Sequence, residues 1–509
     1  MTVSIFDTTD NSIIRPDGNA TSSIVVLGEA PGAWDEKEGI PFSGPSGNLL
    51  FDDILGRAGI RRSDCLVLNR YWEQPKNNKW DNIENPTKYD SQTREIIQAH
   101  PRKCIVAVGD KALEFFTGET AITKWRGSVL TNIGWDCPVI PIIHPKDVFR
   151  VWTYLPLCRH DANRIRKIAD GIDLSDTPRN VINLASELRK NGGSKEEAFL
   201  YFRDTLNEYR ESPCLAFDIE TYQGTITCIG LANTDKSSIV IPLTGAFERD
   251  HEVKLLKTLR ECLTGPALKV GQNLDYDVQY LAKCFGIGVR NVWIDTMVAH
   301  SVMHPEMPHD LATLTSLYTL HPYYKDMRKE AESGNYNELM WEYNGIDCCV
   351  TYEIALKLYD EMRQTKTLDF FRNIPMPVTK TLVRMEHKGI RVDPTIRDNR
   401  QIELQTEVDN FRNSTTLHGI NPNSPKQVLE YLRERLPTRL HNSLKSSDVH
   451  TLKLLRPRVD NDNREFIDAV LEVRDRRKTI GTYLGAKAHK DGRIRTSYRT
   501  SATDTGRIS

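Results

Sequence analysis

Leu215-Ala-Phe-Asp-Ile-Glu-Thr-Tyr222 is the stretch from which the middle of this 509-residue chain can be read. An apolar run carries Asp218 and Glu220 two positions apart, so a strand sends both carboxylates from the same face. Two later stretches repeat the theme on helices. In Gly271-Gln-Asn-Leu-Asp-Tyr-Asp277 a helix start sets Asn273 and Asp277 four apart, and in Tyr343-Asn-Gly-Ile-Asp347 a helix gives Tyr343 and Asp347 one face. Carboxylates gathered from separate elements repel one another unless a cation holds them. An all-oxygen donor set from Asp218, Glu220, Asp277 and Asp347 favours Mg²⁺ or Mn²⁺. Two such ions can activate a water and stabilise the leaving oxygen of an in-line displacement at phosphorus. The Tyr343 hydroxyl, one turn before the last carboxylate, is placed to orient that water.

Working outward, 39% hydrophobic and 27% charged residues describe an ordinary globular chain long enough for about three domains. Ten cysteines occur without any C-x-x-C spacing, which argues against a sequence-local zinc or redox site and for a reducing compartment. No signal peptide opens the chain and no apolar run approaches the length of a membrane span. Net charge is −1, yet from Arg474 onward ten Lys and Arg face three Asp, with Tyr483, Leu484, Ile494 and Tyr498 interleaved. That mixture suits a surface tracking a phosphate backbone.

Three textures follow along the chain. Residues 1–172 alternate short apolar runs (23–28, 65–69, 103–109, 139–144) with helical stretches, an α/β pattern with a largely parallel sheet. The polar stretch 173–194 reads as a linker. Residues 195–365 form a second α/β domain, and 366–509 are mainly helical.

In order and spacing, the three motifs resemble the 3′–5′ exonucleases built on three aspartates, one glutamate and a tyrosine. The resemblance implies a ribonuclease H-like fold with Asp218, Glu220, Asp277, Tyr343 and Asp347 catalytic, the four carboxylates as metal ligands, and Asn273 near the DNA. Asp295 fits the family's intervening strand as a supporting residue. Arg384-Met-Glu-His-Lys-Gly-Ile-Arg-Val-Asp-Pro394, Asn423-Ser-Pro-Lys-Gln-Val-Leu-Glu-Tyr-Leu432 and Gly492-Arg-Ile-Arg-Thr-Ser-Tyr-Arg-Thr-Ser-Ala-Thr-Asp-Thr-Gly-Arg-Ile-Ser509 resemble the thumb and early palm of family A DNA polymerases. That likeness implies a thumb-like segment with Arg476, Arg477, Lys478, Arg495 and Arg507 on single-stranded or primer–template DNA. Ser509 falls just before the family's palm carboxylates, so the expectation is a proofreading exonuclease without polymerisation of its own. A separate C-terminal polymerase half is an implied partner. The alternative is a DNA-binding scaffold with a silent nuclease.

Ser23-Ile-Val-Val-Leu-Gly-Glu-Ala-Pro-Gly32, continuing to Phe42-Ser-Gly-Pro-Ser46, resembles family 4 uracil-DNA glycosylases. Leu66-Val-Leu-Asn69, Trp125-Arg-Gly127 and Ile142-Ile-His-Pro145 fit the same family. A three-layer α/β/α domain is implied. Glu29 would assist the attacking water, Phe42 would stack on a flipped uracil, Asn69 would read its polar edge and His144 would bind the oxygen gathering charge. The sequence departs from the family twice. No cysteine precedes Cys65, so the family's iron–sulfur cluster is expected to be absent, and Lys146 stands where the family has serine. Uracil-containing DNA is the implied ligand, bound or excised. The fusion resembles a tailed-phage arrangement, which implies the cytoplasm of a bacterial host.

Overall fold

The computed structural model describes residues 13–243, 245–334, 336–441 and 444–509. They fall into two compact units, one running to Lys380 and including Arg499–Ser509, the other spanning Thr381–Tyr498.

The first unit holds two sheets. Strands β1 (Asp17–Gly18), β2 (Ile24–Gly28), β3 (Cys65–Asn69), β4 (Cys104–Val108) and β5 (Val139–Ile142) lie in the order β1-β3-β2-β4-β5. All neighbours are parallel except the short β1. Strands covered on both faces need apolar residues at every position, which is why these read as continuous hydrophobic runs. Val26, Val67, Val106 and Ile140 face one core, which α1 (Tyr154–Ala169) closes through Cys158, Ala162 and Ile165. Val25, Leu66, Leu68 and Ile105 face the other, against Leu113 and Phe116. The result is three layers.

The second sheet runs β11-β10-β7-β8-β9-β6, from β6 (Asn180–Ile182), β7 (Cys214–Tyr222), β8 (Thr225–Ala232), β9 (Ser237–Pro242), β10 (Leu268–Gly271) and β11 (Val292–Asp295). β7, β8 and β9 form an antiparallel meander, and β10 joins β7 in parallel. Helix α2 (Leu274–Phe285) packs on the face of Phe217, Ile219 and Ile229. On the other face lie α3 (Thr296–Met303), α4 (Leu311–Tyr318), α5 (Met327–Ser333) and the 29-residue α6 (Tyr336–Gln364), against Ala216, Cys228 and Val240.

Two boundaries differ from the sequence reading. Residues 173–194 are not simply a linker: Val181 and Ile182 pair in parallel with β9, and Asn183 caps a helix at Leu184–Lys190 that packs into the same core. An edge strand of three residues offers too little apolar sequence to stand out. The first unit also continues past residue 365, because Phe371 and Met376 fill the core beneath α6.

The second unit is mainly helical. Helices Pro394–Asn413, Pro425–Arg435, Val449–Leu455 and Asn461–Lys478 enclose Val408, Leu432, Leu452, Phe466 and Val470. Ile390–Arg391 pairs antiparallel with Arg493–Ile494.

Candidate functional sites

Asp218 and Glu220 leave one face of β7, and Asp347 comes down on them from α6. One carboxylate oxygen from each lies within 4.8 Å of the others. Asp277 adjoins them for a local reason. β10 pairs with β7 only as far as Ala216, so the Ile219 N–H has no strand partner on that edge and donates to Asp277 Oδ1 at 2.9 Å. Asp295 stands apart as a support. It accepts from the N–H groups of Asn273 (3.1 Å), Leu274 (2.8 Å) and Met297 (2.9 Å), tying the starts of α2 and α3 together. Asn273 itself is exposed, in the left-handed region at φ 56°, and is not part of the carboxylate cluster.

The electrostatics are those of crowded, buried acids. Burial, then the charges of Asp277, Asp347 and Glu220, hold Asp218 well above the usual carboxylate range. Burial pushes Glu220 up to about 7, although Arg328, 3.7 Å away, pulls the other way. Asp277 is also raised by burial. Groups this reluctant to ionise together, with oxygen donors only, fit hard divalent cations held by Asp218, Glu220, Asp277 and Asp347.

Sequence reasoning missed four neighbours of these acids. Lys325 Nζ donates to both Asp347 oxygens and to Tyr343 Oη, each at 2.7 Å. The Tyr324 hydroxyl donates to Asp347 Oδ1. Arg328 is the third, and the fourth is Asn344, whose Nδ2 donates to Asp218 Oδ2 at 2.7 Å. Its Oδ1 points at Gly230, the residue paired with Asp218 across β8; a Cβ there would lie 2.5 Å from Asn344 Oδ1 and 2.7 Å from Cys348 Sγ. The signal for the first three lay in His321-Pro-Tyr-Tyr-Lys-Asp-Met-Arg328, a basic and aromatic run with no periodicity to place it.

In the front domain, Glu29, Phe42, Asn69 and His144 line one cavity of about 230 Å³, together with Trp80 and Lys146. Phe42 sits at φ 55°, with its ring 5.9 Å from the His144 ring and nearly parallel to it. Small neighbours make room: a Cβ on Gly28 would meet Asn69 Oδ1 at 2.3 Å and the Phe42 ring at 2.5 Å. His144 Nδ1 accepts from the Lys146 N–H at 3.1 Å. In the neutral ring the proton therefore sits on Nε2, which makes Nε2 the donor. Burial pushes His144 down to about 4, so the ring is neutral at pH 7. Burial works against ionised Glu29, but its basic neighbours, with Lys146 Nζ bonded directly to Oε2, bring it below the usual range.

The basic residues expected on DNA differ in their surroundings. Arg476 is engaged by Glu407 and Glu472, and Arg495 by Asp491 at 2.6 Å. Arg477 is half-buried and Lys478 exposed, both at the end of Asn461–Lys478, while Arg507 is exposed. No helix among the described residues is long and apolar enough to cross a membrane.

Comparison with known proteins matches two parts of the chain. Residues 15–167 match the uracil DNA glycosylase superfamily and residues 200–363 a 3′–5′ exonuclease family. Over 159 residues the chain is 33% identical to the type-4 uracil-DNA glycosylase of Thermotoga maritima, covering 31% of this chain and 77% of that protein. It is 32% identical over 293 residues to DNA polymerase I of Synechocystis, covering 53% of this chain and 29% of the relative. The DNA polymerase of Bacillus phage SP01 is 24% identical over 444 residues, covering 78% of this chain and 46% of the phage protein. The chain thus spans less than half the length of either polymerase.

Proposed function

Because residues 15–167 belong to the type-4 uracil-DNA glycosylase family and residues 200–363 are a 3′–5′ exonuclease domain with DNA polymerase I relatives, we propose that the chain proofreads DNA for a family A polymerase of phage type. Its setting would be the cytoplasm of an infected bacterium, and its substrates the 3′ ends of single-stranded and primer–template DNA. The observation that carries this reading is the buried convergence of Asp218, Glu220 and Asp347, with Asp277 beside them. An intact carboxylate set argues against a silent nuclease.

Mg²⁺ or Mn²⁺ bound there would supply the Lewis acidity for water activation and for the leaving 3′ oxygen. The chain's own groups do the rest. Asn344 and the Ile219 N–H fix the directions of Asp218 and Asp277, and Tyr324 and Lys325 fix Asp347. Lys325 donates to Tyr343 Oη, and the Tyr343 hydroxyl in turn hydrogen-bonds Asp347, so the tyrosine is held at the carboxylates where a water would be oriented. Arg477, Lys478 and Arg507 are proposed phosphate contacts; Arg476 and Arg495 would have to exchange carboxylate partners to serve as such. The test is degradation of single-stranded DNA with Mg²⁺ or Mn²⁺, comparing the wild type with Asp218→Ala/Glu220→Ala.

A second reading concerns the front pocket, which we propose recognises uracil in DNA. Phe42, Asn69 and the Nε2–H of His144 provide a platform, an amide and a donor for the base. The ion pair between Lys146 and Glu29 favours binding over excision, since a carboxylate held by an ammonium is a poorer base toward water. Uracil-containing single strands incubated in EDTA test this with the nuclease silenced. Tight, uracil-dependent binding with slow abasic-site formation is expected; no preference for uracil over thymine removes the reading.

A further inference from the structure

The chain between α4 and α5 faces two ways. Toward the carboxylates it presents Tyr324 and Lys325, whose bonds to Asp347 and Tyr343 are described above. Toward the front domain it presents Tyr323 and Asp326. Lys124 Nζ donates to both Asp326 oxygens at 3.0 Å. The Tyr323 ring meets Trp125 edge-on at 5.3 Å, and its N–H donates to Ser128 Oγ at 3.3 Å. The root of the segment is held as well. Arg164 Nη2 donates to the Thr319 carbonyl at 2.6 Å, and Arg126 Nη1 to Ser316 Oγ at 2.8 Å. Arg126 is itself fixed by a buried ion pair with Asp161 on α1.

We propose that residues 122–128 of the front domain are a positioning element for the exonuclease, holding Lys325 and Tyr324 against Asp347. The inference rests on the exonuclease reading above. Residues 319–326 form no helix or strand. A segment of that kind loses conformational freedom on ordering and gains little from its own main-chain bonds. Its order comes from what grips it, and the grip on this side belongs to the front domain. Lys124, Trp125 and Ser128 touch none of the four carboxylates, so their effect runs through residues 323–326. A domain with a base-binding pocket thereby becomes part of the framework of a phosphodiesterase.

The test is charge exchange in the full chain. Lys124→Glu sets two carboxylates face to face and is expected to lower kcat on single-stranded DNA about fivefold to tenfold, with KM little changed. Lys124→Arg should stay within about twofold of wild type, and Lys124→Glu combined with Asp326→Lys should regain most of the loss. Amide hydrogen exchange reads the grip without turnover, and peptides covering 319–326 should exchange faster in Lys124→Glu alone. An unchanged kcat in Lys124→Glu overturns the proposal, as does a loss that the exchanged pair leaves unrepaired. A wild type no faster than Asp218→Ala/Glu220→Ala would instead remove the exonuclease reading. In that case unchanged exchange at 319–326 still overturns the brace, and faster exchange still supports it.

Discussion

The carboxylate cluster on β7 and the pocket at the end of β2 both take acidic groups out of water, and they handle the charge in opposite ways. Around Asp218 and Glu220 the acids accumulate, and the cations Lys325 and Arg328 lie at the edge, on Asp347 and beyond Glu220. Around Glu29 the charge is already answered by Lys146. The first arrangement leaves Asp218, Glu220 and Asp277 reluctant to ionise, a condition that a divalent cation would relieve. The second is at rest, with a neutral histidine and a paired carboxylate. The acids of one site thus fit a divalent cation, whereas the carboxylate of the other already has an ammonium partner.

Removing the acids is the severest way to break that contrast. Asp218→Ala/Glu220→Ala should cut metal-dependent exonuclease activity about a thousandfold or more, and leave uracil binding in EDTA unchanged. Loss of both functions together would mean that the sites are not separable.

Acid should weaken the fold through the pocket. His144 sits near 4 in the folded chain against 6.5 when free, so the unfolded chain takes up its proton earlier as pH falls. The stability tied to this ring is full above about pH 6.5 and is lost between there and about pH 4, to a total of about 3 kcal/mol. Urea unfolding across that range should show the fall, and His144→Gln should flatten it.

Smaller effects sharpen the comparison. Lys146→Ser removes the answering charge, and excision of uracil in EDTA is expected to rise about tenfold as Glu29 becomes a better base. Asn69→Asp replaces a donor–acceptor pair with acceptors only, which should narrow the preference for uracil over cytosine by about threefold to tenfold in a competition binding assay.

What the sequence revealed depended on repetition. Strands buried on both faces, such as Val25–Leu27 and Leu66–Leu68, announce themselves as unbroken apolar runs. Asp218 with Glu220 and Tyr343 with Asp347 stand out because their spacing matches the period of the element that carries them. Lys325 and Tyr324 have no such period, since they lie on an irregular segment whose course is set by groups nearly 200 positions earlier. The strand at 180–182 was hidden for a related reason: it draws its stability from β9 rather than from its own composition. Arg476 and Arg495 show the remaining limit, because a basic run does not disclose which of its charges have acidic neighbours in the fold.

Gly230 has a practical consequence. Any side chain there would strike the amide of Asn344 and the sulfur of Cys348, and Asn344 could turn away only by releasing Asp218. Enlarging this one residue would therefore disturb the carboxylate cluster while keeping every acidic group, every basic group and the net charge of the protein.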